Sequence, residues 1–281
     1  MSYKFAIIGY PIKHSLSPII QRAALESCNL DGTYEIIETK PENLISIIKK
    51  LKTQNYQGFN VTIPHKVPIT LFMEQFDEYA NTAGSVNTVK IDENKNLLGY
   101  NTDIYGFLSA IPNGVNLEKA SVAIMGTGGA SRAIACAFKM QNVSRIDFFT
   151  RNILDSHLAI KTLREKFPDI RIELIQYEGL TNLSQYKMIV NTTPTGMSGH
   201  SEGKSNLSDA LVETISDDAY VYDIVYNPNK TEFIKQAIRY NKKYICGLDM
   251  LIYQGAKAFE IWTGQVPNTD KMKIAALEYL T

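Results

Sequence analysis

The sequence predicts an α/β protein of two domains, each built on a sheet covered by helices. Three observations support this prediction. The chain has 281 residues, a length that suits two domains. In residues 1–80, short apolar runs typical of strands alternate with segments of helical spacing. Further along, an apolar strand at 121–125 runs through a glycine-rich turn into an alanine-rich helix at 133–140.

The composition is that of an ordinary globular protein, with 44% hydrophobic and 21% charged residues. The charges of its 29 basic and 29 acidic side chains cancel, so the formal net charge is zero. The chain therefore has no net positive charge to attract nucleic acid or an acidic membrane surface. No apolar run approaches the ~20 residues that a membrane-spanning helix needs, and the N-terminus lacks the pattern of a secretory leader. We expect a cytoplasmic protein whose partners are small molecules.

Cysteine and histidine spacing does not indicate a metal. Cys28, Cys136 and Cys246 are far apart in the sequence, so they suggest neither a disulfide framework nor a paired-cysteine zinc site. The four histidines, His14 among them, also lack the short spacing of metal ligands. We therefore expect no metal and a reducing compartment.

The first predicted strand, at residues 5–8, leads into a loop that carries two serines. A helix is predicted at 19–25, with Pro18 in its first turn and Ser17 as its N-cap. Ser15 and Ser17 therefore lie between a strand and a helix, where open α/β sheets bind ligands. Helix capping alone would explain a serine at position 17, but it does not explain the serine at position 15.

The segment NVTIPHK, which ends at Lys66, follows the third predicted strand. Apolar and polar residues alternate up to Pro64, which cannot donate to a sheet ladder and should end the strand. Asn60 and Thr62 then share one face, and Lys66 lies just beyond the strand end. The segment alone also fits a solvated face with a surface lysine. Residues 67–76 are predicted as a further helix.

Two strands joined by a polar turn are predicted at 83–89 and 97–103. Asn87, Asn101 and Asp103 lie beside glycines or strand ends within them. Any one of these residues is more often a turn residue than a ligand. Three of them on neighbouring strands indicate a site.

The second domain begins near residue 104 and carries a glycine-rich turn between its first strand and helix. Strand, glycine turn and helix in this order are what a dinucleotide fingerprint requires, because backbone amides at the helix N-terminus receive the pyrophosphate. The turn residues expected to meet the cofactor are Gly126, Thr127, Gly128, Gly129 and Ala130.

The next strand of this domain ends in Thr150, Arg151 and Asn152. A site for NAD is expected to carry Asp or Glu about 20 residues beyond the glycines to accept the ribose hydroxyl. An arginine there suits the extra phosphate of NADP, which it can hold bidentately. We therefore expect NADP, the alternative being that Arg151 is merely exposed.

The remaining patterns complete the domain and return to helices. A strand at 188–190 ends in the polar turn 191–197, where a nicotinamide ribose can rest. A helix at 251–262 carries Gln254, and a last amphipathic helix is predicted at 269–280.

Together these stretches resemble the shikimate dehydrogenase family over nearly the whole chain, from Gly9 to Trp262. Seven ordered motifs carry the resemblance: SLSP at 15–18, NVTIPHK at 60–66, GSVNT at 84–88, GYNTD at 99–103, GTGGA at 126–130, NTTPTGM at 191–197, and GLD at 247–249 with YQG at 253–255.

The resemblance implies an NADP-dependent enzyme that reduces 3-dehydroshikimate in aromatic amino-acid biosynthesis, with Lys66 and Asp103 as its catalytic pair. Hydride reduction of a ketone puts negative charge on the oxygen, and a lysine can both stabilise that charge and supply a proton. The substrate ligands implied are Ser15, Ser17, Thr62, Asn87, Asn101, Tyr226 and Gln254. The cofactor ligands implied outside the glycine turn are Thr150, Arg151, Asn152, Thr192, Met197 and Gly247.

The implied fold has an α/β substrate domain with a mixed sheet, formed by residues 1–103 and the C-terminal helices at 247–281. A Rossmann domain for NADP, at 104–246, is inserted between them. We expect a monomer or a homodimer.

One departure from the family concerns the cofactor. The second basic residue of the family's NADP clamp, four positions after Arg151, is Asp155 here. This weakens the phosphate site and leaves use of NAD open. Two alternatives remain: an NAD-using quinate/shikimate dehydrogenase, and a nucleotide-sensing regulator of the same fold without turnover, which would need no proton donor such as Lys66.

Overall fold

The structure, a computed structural model, describes residues 2–12 and 15–280; His14 lies outside these ranges. The chain divides into two compact units, and we describe each by itself. Unit 1 comprises Met1–Gly106 and Ile252–Thr281, and unit 2 comprises Phe107–Leu251.

One mixed sheet forms the centre of unit 1. Its strands are β1 (Tyr3–Gly9), β2 (Gly32–Glu38), β3 (Gly58–Val61), β4 (Gln75–Phe76), β5 (Thr88–Ile91) and β6 (Leu97–Tyr100). Across the sheet their order is β2-β1-β3-β5-β6-β4. Strand β1 is parallel to β2 and β3, whereas β5 is antiparallel to β3 and β6. Residues 5–9 of β1 are all buried, which explains their continuous apolar run.

Four helices begin in unit 1 ahead of the second sheet. They are α1 (Ser17–Ser27), α2 (Leu44–Thr53), α3 (Glu78–Ala83) and α4 (Thr102–Ala110), and two short 3₁₀ helices span Pro41–Asn43 and Pro68–Phe72. Helix α2 shows why apolar spacing predicts a helix. Leu44, Ile48 and Leu51 follow one another at four- and three-residue intervals, and all three are buried in the apolar core beside the sheet.

The helix predicted at 67–76 is wrong. A 3₁₀ helix ends at Phe72, and the chain then extends so that Gln75 and Phe76 pair with β6. Leu71 is 85% exposed and Phe76 is 41% exposed, so the apolar residues of this segment do not form one buried helical face.

Two predicted strand ends also differ from the structure. Strand β3 ends at Val61 rather than at Pro64, because the His65 amide turns back to the Thr62 carbonyl at 2.8 Å. Strand β6 ends at Tyr100, since helix α4 begins at Thr102.

Ser17 is not the N-cap of α1. The helix begins at Ser17 itself, and its cap residue, Leu16, makes no side-chain capping bond. The Ser15 hydroxyl instead accepts the Ser17 amide at 3.2 Å.

Unit 2 contains a second sheet in which every neighbouring pair is parallel. Its strands are β7 (Ser121–Met125), β8 (Arg145–Thr150), β9 (Arg171–Gln176), β10 (Met188–Asn191), β11 (Tyr220–Asp223) and β12 (Lys243–Cys246). Its helices are α5 (Gly129–Met140), α6 (Ile153–Lys166), α7 (Asp209–Glu213) and α8 (Glu232–Arg239), and a 3₁₀ helix spans Tyr177–Gly179. The order β12-β11-β10-β7-β8-β9 reverses direction between β7 and β10, as in dinucleotide-binding sheets. The predicted α/β class, with a mixed sheet and a Rossmann-type sheet, is confirmed.

The C-terminal helices, α9 (Gly247–Thr263) and α10 (Thr269–Leu280), return the chain to unit 1. Trp262 of α9 donates its indole N–H to the Val89 carbonyl at 2.9 Å. Its ring stacks on Phe5, with 4.6 Å between centroids. Gly58 of β3 has no room for a side chain, because a Cβ there would overlap the indole. Trp262 thus joins the end of the chain to the core of its first sheet.

Across the described residues, no helix is both long and apolar enough to cross a membrane.

Replacing Trp262 tests this join. We expect Trp262→Ala to lower the free energy of unfolding of unit 1 by roughly 3–5 kcal/mol, because it leaves a cavity and an unpaired Val89 carbonyl. Urea titration followed by circular dichroism measures this. Tyr279→Ala, at a side chain that is 61% exposed, is the control. Equal midpoints for the two variants would contradict the packing role.

Candidate active site

The two loops that carry predicted substrate ligands in unit 1 are held together by backbone contacts. The Tyr10 amide donates to the Ile63 carbonyl at 2.8 Å, and the Thr62 amide donates to the Ile8 carbonyl at 2.9 Å. Gly9 permits this approach, because a Cβ there would overlap the Thr62 methyl group. The end of β1 therefore lies against the turn that follows β3.

Lys66 and Asp103 form an ion pair, with Lys66 Nζ at 2.6 Å from Asp103 Oδ2. The Lys66 side chain is 15% exposed and that of Asp103 is 8% exposed. An ion pair this far out of water requires further hydrogen bonds to offset desolvation. The backbone helps to place Lys66, since its carbonyl accepts the Val86 amide at 2.8 Å.

Asn87 supplies the further hydrogen bond that the ion pair needs. Its Nδ2 donates to the second carboxylate oxygen of Asp103 at 2.8 Å and to Thr102 Oγ1 at 2.9 Å. Its Oδ1 accepts the Thr102 amide, the first N–H of α4, at 2.8 Å. The same side chain therefore starts the helix that bears Asp103 and orients that residue's carboxylate.

Asn101 presents an unused acceptor. Its Nδ2 donates to the carbonyl and hydroxyl of Ser85 at 2.9 and 3.0 Å, which fixes the orientation of the amide because a carbonyl can only accept. Its Oδ1 is buried and has no hydrogen-bond partner within residues 2–12 and 15–280. A buried acceptor without a hydrogen bond is costly, so it favours a bound molecule that can donate to it.

Gln254 approaches the same cluster from α9. Its Oε1 lies 3.4 Å from Asn87 Nδ2 and 3.5 Å from Thr102 Oγ1. Thr102 is buried and was missed by the sequence reasoning, because a threonine in a predicted strand carries no special signal. For Asn60, the sequence predicts only that it shares a face of its strand with Thr62. Its amide now bridges Tyr34 to Asn87 and Thr88.

The serine loop is built as a small turn. Ser15 Oγ lies 3.1 Å from Ser17 Oγ, and Ser17 is buried. The structure therefore brings together two groups of predicted ligands in unit 1. One consists of Lys66, Asp103, Asn87 and Gln254, and the other of the two serines.

In unit 2, the glycine turn joins β7 to α5. Gly126 has φ +98°, a backbone conformation that residues with a side chain rarely adopt. It also packs against Thr193, which leaves no room for a Cβ. Gly128 is the N-cap of α5, and a Cβ there would meet nothing within 4 Å, so there is open space beside this helix N-terminus, where an anion can bind. Ser131, fully buried, donates its hydroxyl to the Gly128 carbonyl at 2.6 Å.

A cavity of about 270 Å³ lies at the carboxyl edge of the parallel sheet. Its walls come from the segments that follow β7, β8, β9 and β10, where open α/β sheets bind ligands. The lining residues include Gly126, Thr127, Thr150, Arg151, Asn152 and Tyr177. Five of these six were predicted from the sequence as cofactor ligands, and the cavity, the open helix terminus and the cation fit a phosphorylated dinucleotide.

Ser156 and Tyr177 were not predicted. Ser156 Oγ lies 3.0 Å from Thr127 Oγ1 and 2.9 Å from Thr150 Oγ1, so it ties the glycine turn to the end of β8. The Tyr177 hydroxyl is buried and has no hydrogen-bond partner among the described residues. Burial raises the pKa of Tyr177, while the charge of Arg151 opposes that rise. Both residues lie outside the fingerprint pattern, so no local signal marks them.

The turn after β10 rests on a buried polar network. Asn191 Nδ2 donates to Asp223 Oδ1 at 2.9 Å, and its Oδ1 accepts the Thr193 amide at 3.1 Å. Asp223 also accepts the Thr231 hydroxyl at 2.6 Å. Burial outweighs these donors and raises the pKa of Asp223 to about 7. Thr192 Oγ1 is already engaged, donating to the Met125 carbonyl at 2.6 Å.

The ligand roles predicted from the sequence all stay predictions, and those of Tyr226, Met197 and Gly247 are among them. Tyr226 and Met197 lie in unit 2 beyond β11 and β10, and Met197 is 38% exposed. Gly247 has a packing role, because a Cβ there would overlap the Ile224 carbonyl. Within residues 2–12 and 15–280, no group of three or more His, Cys, Asp or Glu side chains is arranged to hold a metal.

Asp223 gives the structure a pH dependence with a definite sign. Between about pH 4 and about pH 7 the folded state keeps a proton that the unfolded state has lost, so the free energy of unfolding falls as pH rises. The slope reaches at most about 1.4 kcal/mol per pH unit. We expect Asp223→Asn to remove this slope, measured by urea titration at several pH values. Asp169→Asn, at an exposed position, is the control. An unchanged slope in Asp223→Asn would contradict the assignment.

Comparison with known proteins places the chain in a family. The sequence profile of the shikimate dehydrogenase substrate binding domain matches residues 7–89, and that of the shikimate 5'-dehydrogenase C-terminal domain matches residues 247–277. A shikimate dehydrogenase (NADP(+)) from Methanococcus maripaludis is 38% identical over 270 residues, which cover 95% of this chain and 94% of that relative.

Solved structures agree with this relationship. The crystal structure of a shikimate dehydrogenase in complex with NADP⁺ matches with a TM-score of 0.90 at 34% identity, covering 100% of this chain and 96% of that one. Shikimate 5-dehydrogenase from Thermus thermophilus, in complex with NADP(H) and shikimate, matches with a TM-score of 0.84 at 32% identity, covering 98% of this chain and 99% of that one. The chain therefore belongs to the shikimate dehydrogenase family.

Proposed function

We propose that this chain is an NADP-dependent oxidoreductase that catalyses the reversible reduction of 3-dehydroshikimate to shikimate, a step of aromatic amino-acid biosynthesis. The observation that carries the proposal is the partly buried ion pair of Lys66 and Asp103, which are 2.6 Å apart, with Asn87 bound to the second carboxylate oxygen. It lies within the unit that contains the match to the shikimate dehydrogenase substrate binding domain.

Lys66 is the general acid of the reduction and the general base of the reverse reaction. NADPH, when bound, supplies the hydride for the reduction. Negative charge then develops on the former ketone oxygen, and the Lys66 ammonium stabilises that charge and donates a proton to the oxygen. In shikimate oxidation, Lys66 accepts the hydroxyl proton.

Asp103 and Asn87 hold Lys66 in position for this transfer. The Asp103 carboxylate accepts a hydrogen bond from Lys66, which directs the ammonium group. The Asn87 amide occupies the other carboxylate oxygen, so Asp103 cannot rotate away without breaking two hydrogen bonds. Such preorganisation keeps a catalytic group within reach of its substrate.

The substrate offers a carboxylate and hydroxyl groups, and the proposed ligands match these. The unpaired Asn101 Oδ1 can accept a hydrogen bond from a substrate hydroxyl, which would satisfy a buried acceptor. The hydroxyls of Ser15 and Ser17 can donate to a carboxylate. The other substrate ligands proposed are Thr62, Asn87, Tyr226 and Gln254.

The cofactor is assigned to unit 2. The α5 N-terminus receives the pyrophosphate, and Arg151 on the cavity wall receives the additional phosphate of NADP. Thr127, Thr150 and Asn152 complete the contacts expected near the adenosine end. Thr192, Met197 and Gly247 remain the proposed ligands for the nicotinamide end.

The domain roles and the setting form part of the same proposal. Residues 1–103 and 247–281 form the substrate domain, and residues 104–246 form the NADP domain. The partners of the protein are small molecules rather than nucleic acid, and the protein acts as a monomer or a homodimer in the cytoplasm. The wide sequence spacing of the three cysteines, Cys28, Cys136 and Cys246, suits a reducing compartment.

The activity is tested by following NADP⁺ reduction with shikimate beside quinate as the alternative substrate. We expect turnover with shikimate and a lower kcat/KM with quinate. Faster turnover of quinate would reject the substrate assignment. Turnover of neither compound would reject the enzymatic proposal in favour of a binding protein.

Replacing Lys66 tests the mechanism. We expect Lys66→Ala to lower kcat by roughly 10²- to 10⁴-fold with a smaller effect on KM, because the variant lacks the general acid. Lys52→Ala, which removes a lysine from a half-exposed ion pair with Glu74 in the same unit, is the matched control. Near-normal turnover of Lys66→Ala would remove this residue from the mechanism.

A further inference from the structure

A side-chain hydrogen bond joins helices α1 and α9 within unit 1. Gln21 of α1 donates its Nε2 to the backbone carbonyl of Gly255 in α9, at 2.9 Å. Gln21 is 1% exposed, so the bond lies out of water, where a hydrogen bond is electrostatically stronger. The two residues are 234 positions apart in the sequence. The bond therefore fixes the first helix of unit 1 to a helix near the end of the chain.

Gly255 permits the close approach of the two helices. A Cβ at this position would lie 2.8 Å from Ile20 Cδ1 and 3.4 Å from Gln21 Nε2, and the shorter distance would force a shift. Gly255 lies in the middle of α9, which has 17 residues, and a glycine there lowers helix stability relative to alanine. The residue at position 255 therefore suits the contact with α1 rather than the helix preference of α9.

The other end of the Gln21 amide makes no comparable bond. Its Oε1 is buried, and it has no hydrogen-bond partner within the part of the chain that the structure describes. A buried acceptor without a partner lowers stability, whereas an apolar side chain of similar shape avoids that loss. The feature that the amide adds over such a side chain is the directed hydrogen bond to α9.

Both helices carry proposed substrate ligands next to this bond. Ser17 lies four residues before Gln21, on the same face of α1. Gln254 directly precedes Gly255 in α9, and its Oε1 lies 3.4 Å from Asn87 Nδ2. The bond is therefore made one residue away from a proposed ligand in α9 and one helical turn away from a proposed ligand in α1.

We propose that Gln21 is a positioning residue for substrate binding. Its hydrogen bond to the Gly255 carbonyl holds the Gln254 amide where that amide meets a hydroxyl group of a cyclic hydroxy-carboxylate whose carboxylate lies at the serines. Gln21 itself does not contact the substrate. This inference rests on the proposed function, and it deepens it by naming a residue that sets the affinity for the substrate. Without the bond, Gln254 keeps its chemistry but loses preorganisation, so binding weakens.

The test is the dissociation constant of shikimate, measured by calorimetric titration without cofactor. Gln21→Met keeps the length of the side chain and removes the donor, so we expect shikimate to bind about three- to tenfold more weakly. In the assay with NADP⁺, the KM for shikimate should rise by a similar factor while kcat falls by less than about twofold, because the groups that transfer the proton are unchanged.

Ile20→Val is the matched control. It shortens a fully buried side chain that packs beside Gly255 and leaves the Gln21 hydrogen bond in place. We expect it to lower the urea midpoint at least as much as Gln21→Met does, because it removes a buried methyl group, and to leave the dissociation constant of shikimate within about twofold. Equal weakening of shikimate binding in Ile20→Val and Gln21→Met would overturn the inference, because packing rather than the hydrogen bond would then be responsible.

A second background separates positioning of Gln254 from a general effect on the fold. In a Gln254→Ala chain the positioned amide is absent, so adding Gln21→Met should weaken shikimate binding no further. Effects that multiply across the two substitutions, or normal shikimate binding by Gln21→Met alone, would overturn the inference and leave the proposed function standing. If the wild-type chain does not bind shikimate, the proposed function fails and this inference fails with it.

Discussion

The hydrogen bonds from Asn87 to Asp103 and from Lys66 to Asp103 are the interactions on which the proposed chemistry depends. A buried carboxylate with one partner would lower the stability of the fold, since the desolvation free energy can exceed the Coulomb attraction of a single ion pair. With both oxygens engaged, the carboxylate is fixed and the ammonium has a defined position. The Asn101 acceptor in the same unit is the opposite case, because it has no partner among the described residues and a substrate hydroxyl can donate to it.

The backbone of unit 1 explains how residues far apart in sequence reach one cluster. Strand β3 stops early, and the following turn returns so that the Lys66 carbonyl accepts the Val86 amide. Strand β6 also stops early, because the Asn87 side chain binds the first amide of α4 and so places Asp103 in the first helical turn. The early strand ends therefore help to form the site, since they leave Lys66 after β3 and Asp103 after β6 outside the sheet.

The sequence predicted the fold well where the pattern was local. The last helix was predicted at 269–280 and occupies Thr269–Leu280, and the glycine turn has the predicted strand before it and helix after it. Prediction failed where pairing across the chain decides the structure. Residues 75–76 join β6 as a strand despite helical spacing. Thr102 and Ser156 were missed for the same reason, because their partners are known only once the chain is folded.

In the proposed mechanism, Lys66 and Asp103 act as one unit rather than as two independent groups. A double-mutant cycle on kcat/KM for 3-dehydroshikimate, using Lys66→Met, Asp103→Asn and the double variant, measures this coupling. If Asp103 works through Lys66, the double variant should lose no more than about tenfold beyond Lys66→Met alone. Losses that multiply across the two substitutions would show that the residues contribute separately and would contradict this mechanism.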